Sequence, residues 1–397
     1  MRLYYFLLLL VTSTLSASEA SIMKQHVDTI VNKGEFLLCT NSGNFGVDCA
    51  VFTLENNIPI LLLSTYIKNE DIKNFTDAIR TLTACVKSNY GIIIKYACFA
   101  GPGVPSAQKD YLSHMRLPYV IDAKGIIAVC QLTDAIIVND FLAMSYGIDF
   151  LGKNKITALY DVPAEVHGRR AIIGAGSGLG TVSMIWNEQQ QNYISLPAEA
   201  GTGNFPAFDQ FEFDLMIAMK KVRNFNTAHW AFFVSLPAIE YMHQILQDMN
   251  YEHCLTGEKN TLDAMTILAA ADKDMCCKKT ADLFYKFYAR FVYNFVWSTL
   301  PFGGIYLVGE TATQQPEMLI NIFLPEYFNC VESKRPNLQR IPIFIIKDDI
   351  TVGLYGTAQY FVLEKKELSK IAHFCEDIRE KLSSVWSYIK GNILICC

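Results

Sequence analysis

The sequence predicts an α/β protein of two lobes, and three observations carry that prediction. Apolar runs at Ala171–Ile173 and Val182–Trp186 flank a turn that is almost all backbone, Gly174-Ala175-Gly176-Ser177-Gly178-Leu179-Gly180. A second unit of the same kind comes earlier: Glu35 to Cys39, a polar turn from Thr40 to Gly46, an apolar stretch from Val47 to Leu54, and a further strand-like run from Ile60 to Tyr66. Between the two lies a helical pattern from Asp71 to Ser88, with Ile72, Phe75, Ile79, Leu82 and Cys85 on one face, and then a buried strand from Gly91 to Ala100. Segments 36–66 and 171–196 thus look like two copies of one device. Two sheets with hairpin tips facing a shared cleft suit a nucleotide held between lobes.

Composition sets the bounds. A chain of 397 residues, 51% hydrophobic and 18% charged, is globular and long enough for two domains. Its net charge of -5 gives no reason to expect nucleic acid. Residues 1–20 read as a targeting segment: Arg2, an apolar run from Leu3 to Val11, then small residues suited to cleavage after Ala17 or Ala20. The run is too short for a comfortable membrane span. The 12 cysteines are scattered through apolar contexts or adjacent to one another, with no C-x-x-C pair, so they read as reduced thiols and zinc is not expected. His243 and His253, near Glu240 and Glu252, show no recurring ligand spacing and read as surface histidines, so no metal ligand is predicted.

Two stretches carry chemistry. Glycine accepts positive φ and lets a ligand approach the main chain, so amides of the turn at 174–180 could converge on a phosphate. It is not the lysine-bearing P-loop, and it leads into a strand instead of a helix. The second stretch is Ala135-Ile136-Ile137-Val138-Asn139-Asp140-Phe141, where a strand delivers an Asn-Asp pair to the start of a helix. A helix N-terminus stabilises an ionised carboxylate, so Asp140 could accept a proton from a hydroxyl; it could equally be a helix cap.

Val138-Asn139-Asp140-Phe141, Gly174 to Gly180, and Ser195-Leu196-Pro197-Ala198-Glu199-Ala200-Gly201 resemble, in order and spacing, the bacterial-type glucokinases of the hexokinase, Hsp70 and actin superfamily, whose motifs read like N-D-F, G-A-G-T-G-L-G and S-L-P-G-E-G-G-H. Pro301 to Glu310 is similar to that family's adenosine-binding segment, and Ile341–Ile346 with Gly353–Ala358 to its closing strand and helix. The resemblance implies a two-lobed ribonuclease H-like (actin/hexokinase-type) fold with ATP and sugar in the interlobe cleft. It sets a small lobe at 34–139, completed by about 350–362, a large lobe at 140–349, and a helical extension at 363–397. It further implies ATP-dependent phosphorylation of glucose or a related hexose at the 6-hydroxyl, the first step of glycolysis, with Mg²⁺. Asp140 would be the base. Asn139, Glu199 and Thr202 would face the sugar, and Asn41, Gly43, Gly174, Gly176, Ser177, Gly178, Gly180, Gly303 and Gly304 would hold ATP and its phosphates. The partners expected are hexose and ATP, with no nucleic acid. A homodimer stays open, and a membrane enters only if the N-terminal segment is retained. The resemblance implies a cytoplasmic protein, against which the signal-like start leaves a secretory or anchored alternative.

The chain departs from the family pattern where it matters. A first phosphate loop like D-x-G-G-T-N-x-R is matched by Asn41-Ser42-Gly43-Asn44-Phe45-Gly46-Val47-Asp48, so an aspartate becomes Asn41 and an arginine becomes Asp48. The family histidine after E-G-G is Thr202, the T-N of the sugar loop falls near Met115-Arg116, and a second glutamate falls near His229 or Trp230. Glu310 replaces a glycine in the adenosine segment. Two readings follow: a glucokinase-like kinase with a divergent site, or a catalytically impaired member that binds sugar or nucleotide or serves as an interaction protein.

Overall fold

A computed structural model of the chain describes residues 23–27, 34–249, 262–348 and 350–366. The expected targeting segment, His253, Cys396, Cys397 and the C-terminal extension beyond 366 lie outside the described residues. The chain divides into two compact units, Met1–Val138 with Leu354–Cys397, and Asn139–Gly353.

The first unit is built on a six-stranded sheet. Its strands are β1 (Lys24–Gln25), β2 (Phe36–Ser42), β3 (Gly46–Glu55), β4 (Ile58–Lys68), β5 (Tyr96–Gly101) and, after the short pair β6 (Tyr111–Leu112) and β7 (Ile121–Asp122), β8 (Asp134–Asn139). They lie in the order β1-β4-β3-β2-β5-β8. Strands β2, β3 and β4 form an antiparallel meander, and β5 runs parallel to β2. Helix α1 (Phe75–Tyr90) starts where Asn74 accepts the Asp77 N–H and stops at Gly91, whose φ of 69° suits glycine. It buries Phe75, Ile79 and Leu82 with Leu38, Val51 and Phe99 of the sheet and Ile126 of α2 (Ala123–Cys130).

The second unit repeats the plan. Its sheet runs β12 (Asn192–Ala198), β11 (Leu179–Asn187), β10 (Arg170–Ala175), β13 (Gly304–Val308), β14 (Ile343–Ile346), β9 (Ile156–Tyr160). Again three consecutive strands, β10, β11 and β12, form an antiparallel meander, and the next strand, β13, runs parallel to β10. The two segments expected to be copies of one device therefore occupy equivalent places in two sheets. Helices α3 (Asp140–Gly147), α4 (Gln210–Arg223), α5 (Leu236–Asp248), α6 (Ala264–Ala269), α7 (Met275–Thr299) and α8 (Glu310–Thr313) belong to this unit.

The long stripe expected in α7 is buried: Leu283, Phe284, Phe287, Tyr288, Phe291, Val292, Phe295 and Val296 all face the core. A charged cluster lies beside it. Arg290 Nη1 donates to both carboxylate oxygens of Glu212 at 2.8 Å, its Nε donates to Glu326, and Lys286 reaches Glu212 at 3.1 Å. Because Glu212 is almost fully buried, removing either partner would strand a charge, a loss of about 3–5 kcal/mol in comparable pairs.

Several boundaries differ from expectation, each for a local reason. The first hairpin's turn shrinks to Gly43–Phe45, because Thr40, Asn41 and Ser42 pair with Cys49, Asp48 and Val47 and so extend the ladder despite their polarity. The strand expected from Gly91 begins at Tyr96, where pairing with Leu37 starts. Helix α7 begins at Met275, five residues ahead of the expected Thr280, because Asp274 caps it by accepting the Cys277 N–H. His243, expected at the surface, is 3% exposed, on the buried face of α5. Cys39, Cys49 and Cys98 are buried free thiols, as the apolar contexts implied. Among the described residues no helix is long and apolar enough to cross a membrane.

Candidate functional site

The Asn-Asp pair sits at the junction of β8 and α3. Asn139 has the extended backbone of an N-cap (φ -66°, ψ 140°), and its Oδ1 accepts the Leu142 N–H at 2.9 Å. Capping thus falls to Asn139, and Asp140 is the first residue of the helix. Its Oδ1 accepts the Phe141 N–H at 2.8 Å, and the helix start favours its ionised form.

Phe141 explains the glycines. A Cβ on Gly174 would lie 2.6 Å from the tip of the Phe141 ring, and one on Gly180 would overlap the same ring. Hence the aromatic side chain following Asp140, lying against the hairpin, requires glycine at 180 and, together with Val308 Cγ2 at 2.6 Å, at 174. Positive φ, the expected reason, is not the cause: among the described glycines it occurs at Gly34, Gly91, Gly103, Gly304 and Gly309, and at none in the turn. Gly176 differs, since a Cβ there would meet nothing within 4 Å.

The tip itself, Gly176-Ser177-Gly178, is closed by backbone. The Gly176 N–H donates to Gly178 O at 2.9 Å, and Gly176 O accepts the Leu236 N–H at 2.7 Å. This stitches the turn to the start of α5 and spends the Gly176 amide, which the sequence assigned to phosphate. On the other side, Thr311 Oγ1 donates to Ala175 O at 2.8 Å, Tyr285 Oη to Thr311 O at 2.7 Å, and Tyr288 Oη to Ile173 O at 3.3 Å. Gly309, with φ 97°, passes 3.5 Å (from its would-be Cβ) over Ala175 O.

Gly303 and Gly304 do not belong to this end. Strands β10 and β13 are parallel with Arg170 beside Gly304 and Gly174 beside Val308, so the pair lies at the opposite end of the strand, about 13 Å away at 3.3 Å per residue. Their amides are spent on Arg169 O (2.8 Å) and Pro301 O (2.9 Å), and a Cβ on Gly303 would overlap the Gly168 carbonyl. They shape the entry to β13. The glycine that reaches the turn is Gly309, at the C-terminal strand end where open α/β sheets bind ligands. Phe141 and Gly309 lie within segments that carry the family resemblance but are given no role there, and Thr311 is not singled out; a further signal is that Gly309 ends the apolar run Ile305–Val308.

The loop expected to face the sugar follows β12. Ala198 pairs with Thr181, next to Gly180, and Thr181 Oγ1 donates to Ala198 O at 2.6 Å. The exposed Glu199 comes next, and its carbonyl accepts both the N–H (3.0 Å) and the Oγ1 (2.7 Å) of Thr202. Gly201 is buried against Leu179. Thr202 O lies 2.6 Å from His229 Nδ1, so that nitrogen carries a proton, while Nε2 is 3.0 Å from the Thr227 hydroxyl. Ser145 of α3 donates to Ser195 of β12 at 2.6 Å. One end of this sheet therefore gathers Asn139, Asp140, Gly174–Gly180, Glu199 and Thr202.

The first hairpin belongs to the other unit. Gly43 N–H donates to Gly46 O at 2.8 Å, so its amide too is spent on closing a turn. Asn69 clamps that turn, donating from Nδ2 to Gly43 O and Asn44 O at 2.9 Å each and from its N–H to Phe45 O. Asn41 and Asp48 are direct partners across β2 and β3, which puts their side chains on the same face. Burial pushes the Asp48 carboxyl up to about 6, and among the described residues no ion pair involves it.

The glucokinase family model matches residues 46–364. The chain belongs to the glucokinase family. A relative, the glucokinase of Nostoc punctiforme, is 28% identical over 292 residues, covering 69% of this chain and 83% of that protein. The structure is similar to glucokinase from Balamuthia mandrillaris in complex with glucose (TM-score 0.69, 15% identity, 91% of this chain and 98% of that one). It is also similar to a ROK family glucokinase from Streptomyces griseus in complex with glucose and AMPPNP (TM-score 0.56, 14% identity, 82% and 98%). At these identities the structural likeness establishes the fold, the mixed α/β architecture of the glucokinase and ROK sugar kinases.

Two outcomes follow for this family member. Gly174→Ala and Gly180→Ala should each lower the melting temperature by several degrees, the usual scale for a 1–3 kcal/mol overpacking cost, while Gly176→Ala should melt as wild type; equal melting of all three by calorimetry would remove the Phe141 constraint. Asp48 binds a proton in the folded chain up to about pH 6 and in the unfolded chain only up to about 3.9. Stability contributed by the protonated form is therefore lost as pH rises through 4 to 6. Asp48→Asn should match wild type near pH 4 and exceed it above pH 6.5, by at most about 3 kcal/mol in denaturant titrations.

Proposed function

We propose that the protein is an ATP-dependent hexose kinase that phosphorylates the 6-hydroxyl of glucose or a related hexose. The observation that carries this reading is the ring of Phe141 against Gly174 and Gly180, which fixes the carboxylate of the preceding residue beside a glycine hairpin. Family membership and the glucose and AMPPNP complexes of similar structures support it. In this reading Asp140 takes the proton of the sugar hydroxyl as the O6–P bond to the γ-phosphoryl forms. The bond from that phosphorus to the bridging oxygen breaks, and its electron pair leaves with ADP.

Asn139 and Glu199 hold the sugar. Because Asn139 Oδ1 is engaged at the helix cap, its Nδ2 would do the donating, and the exposed Glu199 carboxylate would accept from hydroxyls. Thr202 would offer only its hydroxyl oxygen as an acceptor, since its N–H and hydroxyl both donate to Glu199 O and its carbonyl is engaged by His229. Glycine at 176 leaves open space where a side chain would otherwise stand, room for phosphate at the tip.

Mg²⁺, bound with ATP, would supply neutralisation of phosphate charge. The residues present fit it. Asn41 offers a neutral amide oxygen and Asp48, beside it on the same face, offers a hard carboxylate whose burial cost a cation would offset. Asp48 thus stands in for the carboxylate absent at 41.

ADP release with a panel of hexoses tests the activity. Asp140→Asn should keep the fold and lose at least about 10²-fold in kcat, since only the proton acceptor changes; undiminished turnover would remove Asp140 from the mechanism. Ligand-induced stabilisation without any product would instead favour the impaired, ligand-binding reading. Asp48→Asn should raise KM for Mg-ATP, and adding Asn41→Asp should restore it. If all three proteins share one KM, Asp48 has no part in nucleotide binding.

A further inference from the structure

We propose that His243, Asp274 and Cys277 form a binding site for one zinc-type transition-metal ion, joining α5 to the start of α7. One ligand atom from each residue lies within 4.8 Å of the other two. Cys277 Sγ and His243 Nε2 are 3.6 Å apart. With metal–sulfur and metal–nitrogen bonds of about 2.3 and 2.05 Å, two corners of a tetrahedral zinc site stand about 3.6 Å apart, so Cys277 and His243 already stand at ligand spacing and the Asp274 carboxylate would close in on binding. A thiolate, an imidazole and a carboxylate are a donor set that selects zinc over magnesium or calcium.

Each ligand is prepared by its surroundings. Cys277 is the third residue of a 25-residue helix, and its N–H is held by the helix cap Asp274, so the two residues share one turn. His243 is 3% exposed, on the buried face of α5. Its Nδ1 is buried with no hydrogen-bond partner, so its polar neighbours lie on the Nε2 side. A buried ring nitrogen left unpaired is costly, and an apolar residue on this face of α5 would avoid the cost. Asp274 is exposed, with Oδ1 fixed by the Cys277 N–H at 2.7 Å. Three protein ligands with one side open to solvent leave a fourth position for water. Farther along α7, Tyr285 and Tyr288 hold the Thr311 and Ile173 carbonyls behind the glycine hairpin. A metal at the start of α7 would hold that helix to α5, whose own first residue bonds the hairpin tip.

The test uses the full chain, stripped with chelator and titrated with cobalt(II), a spectroscopic substitute for zinc, with no reference to kinase activity. One equivalent should bind with intense visible absorption and a thiolate-to-cobalt charge-transfer band, and zinc should displace it. The band should vanish in Cys277→Ser and persist in Cys330→Ser and in Cys396→Ser/Cys397→Ser. Asp274→Asn, which keeps the helix cap, should retain the band but weaken zinc binding about tenfold or more. Absence of cobalt uptake by folded wild type, an unchanged band in Cys277→Ser, or unchanged affinity in Asp274→Asn would each overturn the site, leaving a thiol–imidazole hydrogen bond. Should Cys277→Ser fail to fold, the Asp274→Asn affinity decides alone.

Discussion

The contact on which the rest of the candidate site depends is the ring of Phe141 lying against Gly174 and Gly180. It joins two pieces of chain that arrive from different directions, the start of α3 and the two strands of the β10–β11 hairpin. Side chains at either glycine would collide with the ring, so the hairpin has to be bare there. The constraint is mutual. If the hairpin shifts, the ring shifts, and the carboxylate of the preceding residue moves with it. Sub-ångström placement governs the rate of a general base, and in the role proposed for Asp140 that placement would rest on packing into a glycine surface and on the Asn139 cap.

Much of this arrangement was legible in the sequence because it is written in local patterns. Apolar runs broken by glycine or polar turns give strand-turn-strand units, and helical periodicity gives α1 and α7. The equivalence of the two hairpins was visible for the same reason. What local pattern cannot encode is direction and neighbourhood. Gly303-Gly304 and Gly309 bracket the same apolar run, and either end could carry the ligand until the parallel pairing of β13 with β10 shows which one meets the turn. The same holds for Gly174 and Gly180: their chemistry permits positive φ, but the need for glycine arises from a ring more than thirty residues away.

Two other errors were recoverable in principle. Asn41 and Asp48 look like one charge lost and another gained elsewhere when read along the chain. Antiparallel register makes them neighbours, so the change is an exchange across a hairpin, with a carboxylate kept at the same place on the sheet. His243 falls on the stripe Ile239, Met242, His243, Leu246 at helical spacing, a signal of burial that its polarity concealed. In both cases the pattern was present, and expectations about residue type outweighed it.

Both hairpin tips share a way of being held that explains how so divergent a sequence can keep their shape. In each, a glycine N–H near the tip closes the turn on a carbonyl two or three residues on, Gly176 on Gly178 and Gly43 on Gly46. In each, a donor from a later part of the chain then fixes the tip from outside, the Leu236 amide in one and the Asn69 side chain in the other. These restraints use backbone carbonyls as acceptors, and backbone carbonyls survive almost any substitution. Side chains at the strand ends, such as Asn41, Phe45 and Asp48, can therefore change without loosening the turns. Preorganisation of the tips, the property the proposed phosphate role would require, is thus carried by backbone acceptors, which sequence divergence touches least, with Asn69 as the one side chain among the donors named here.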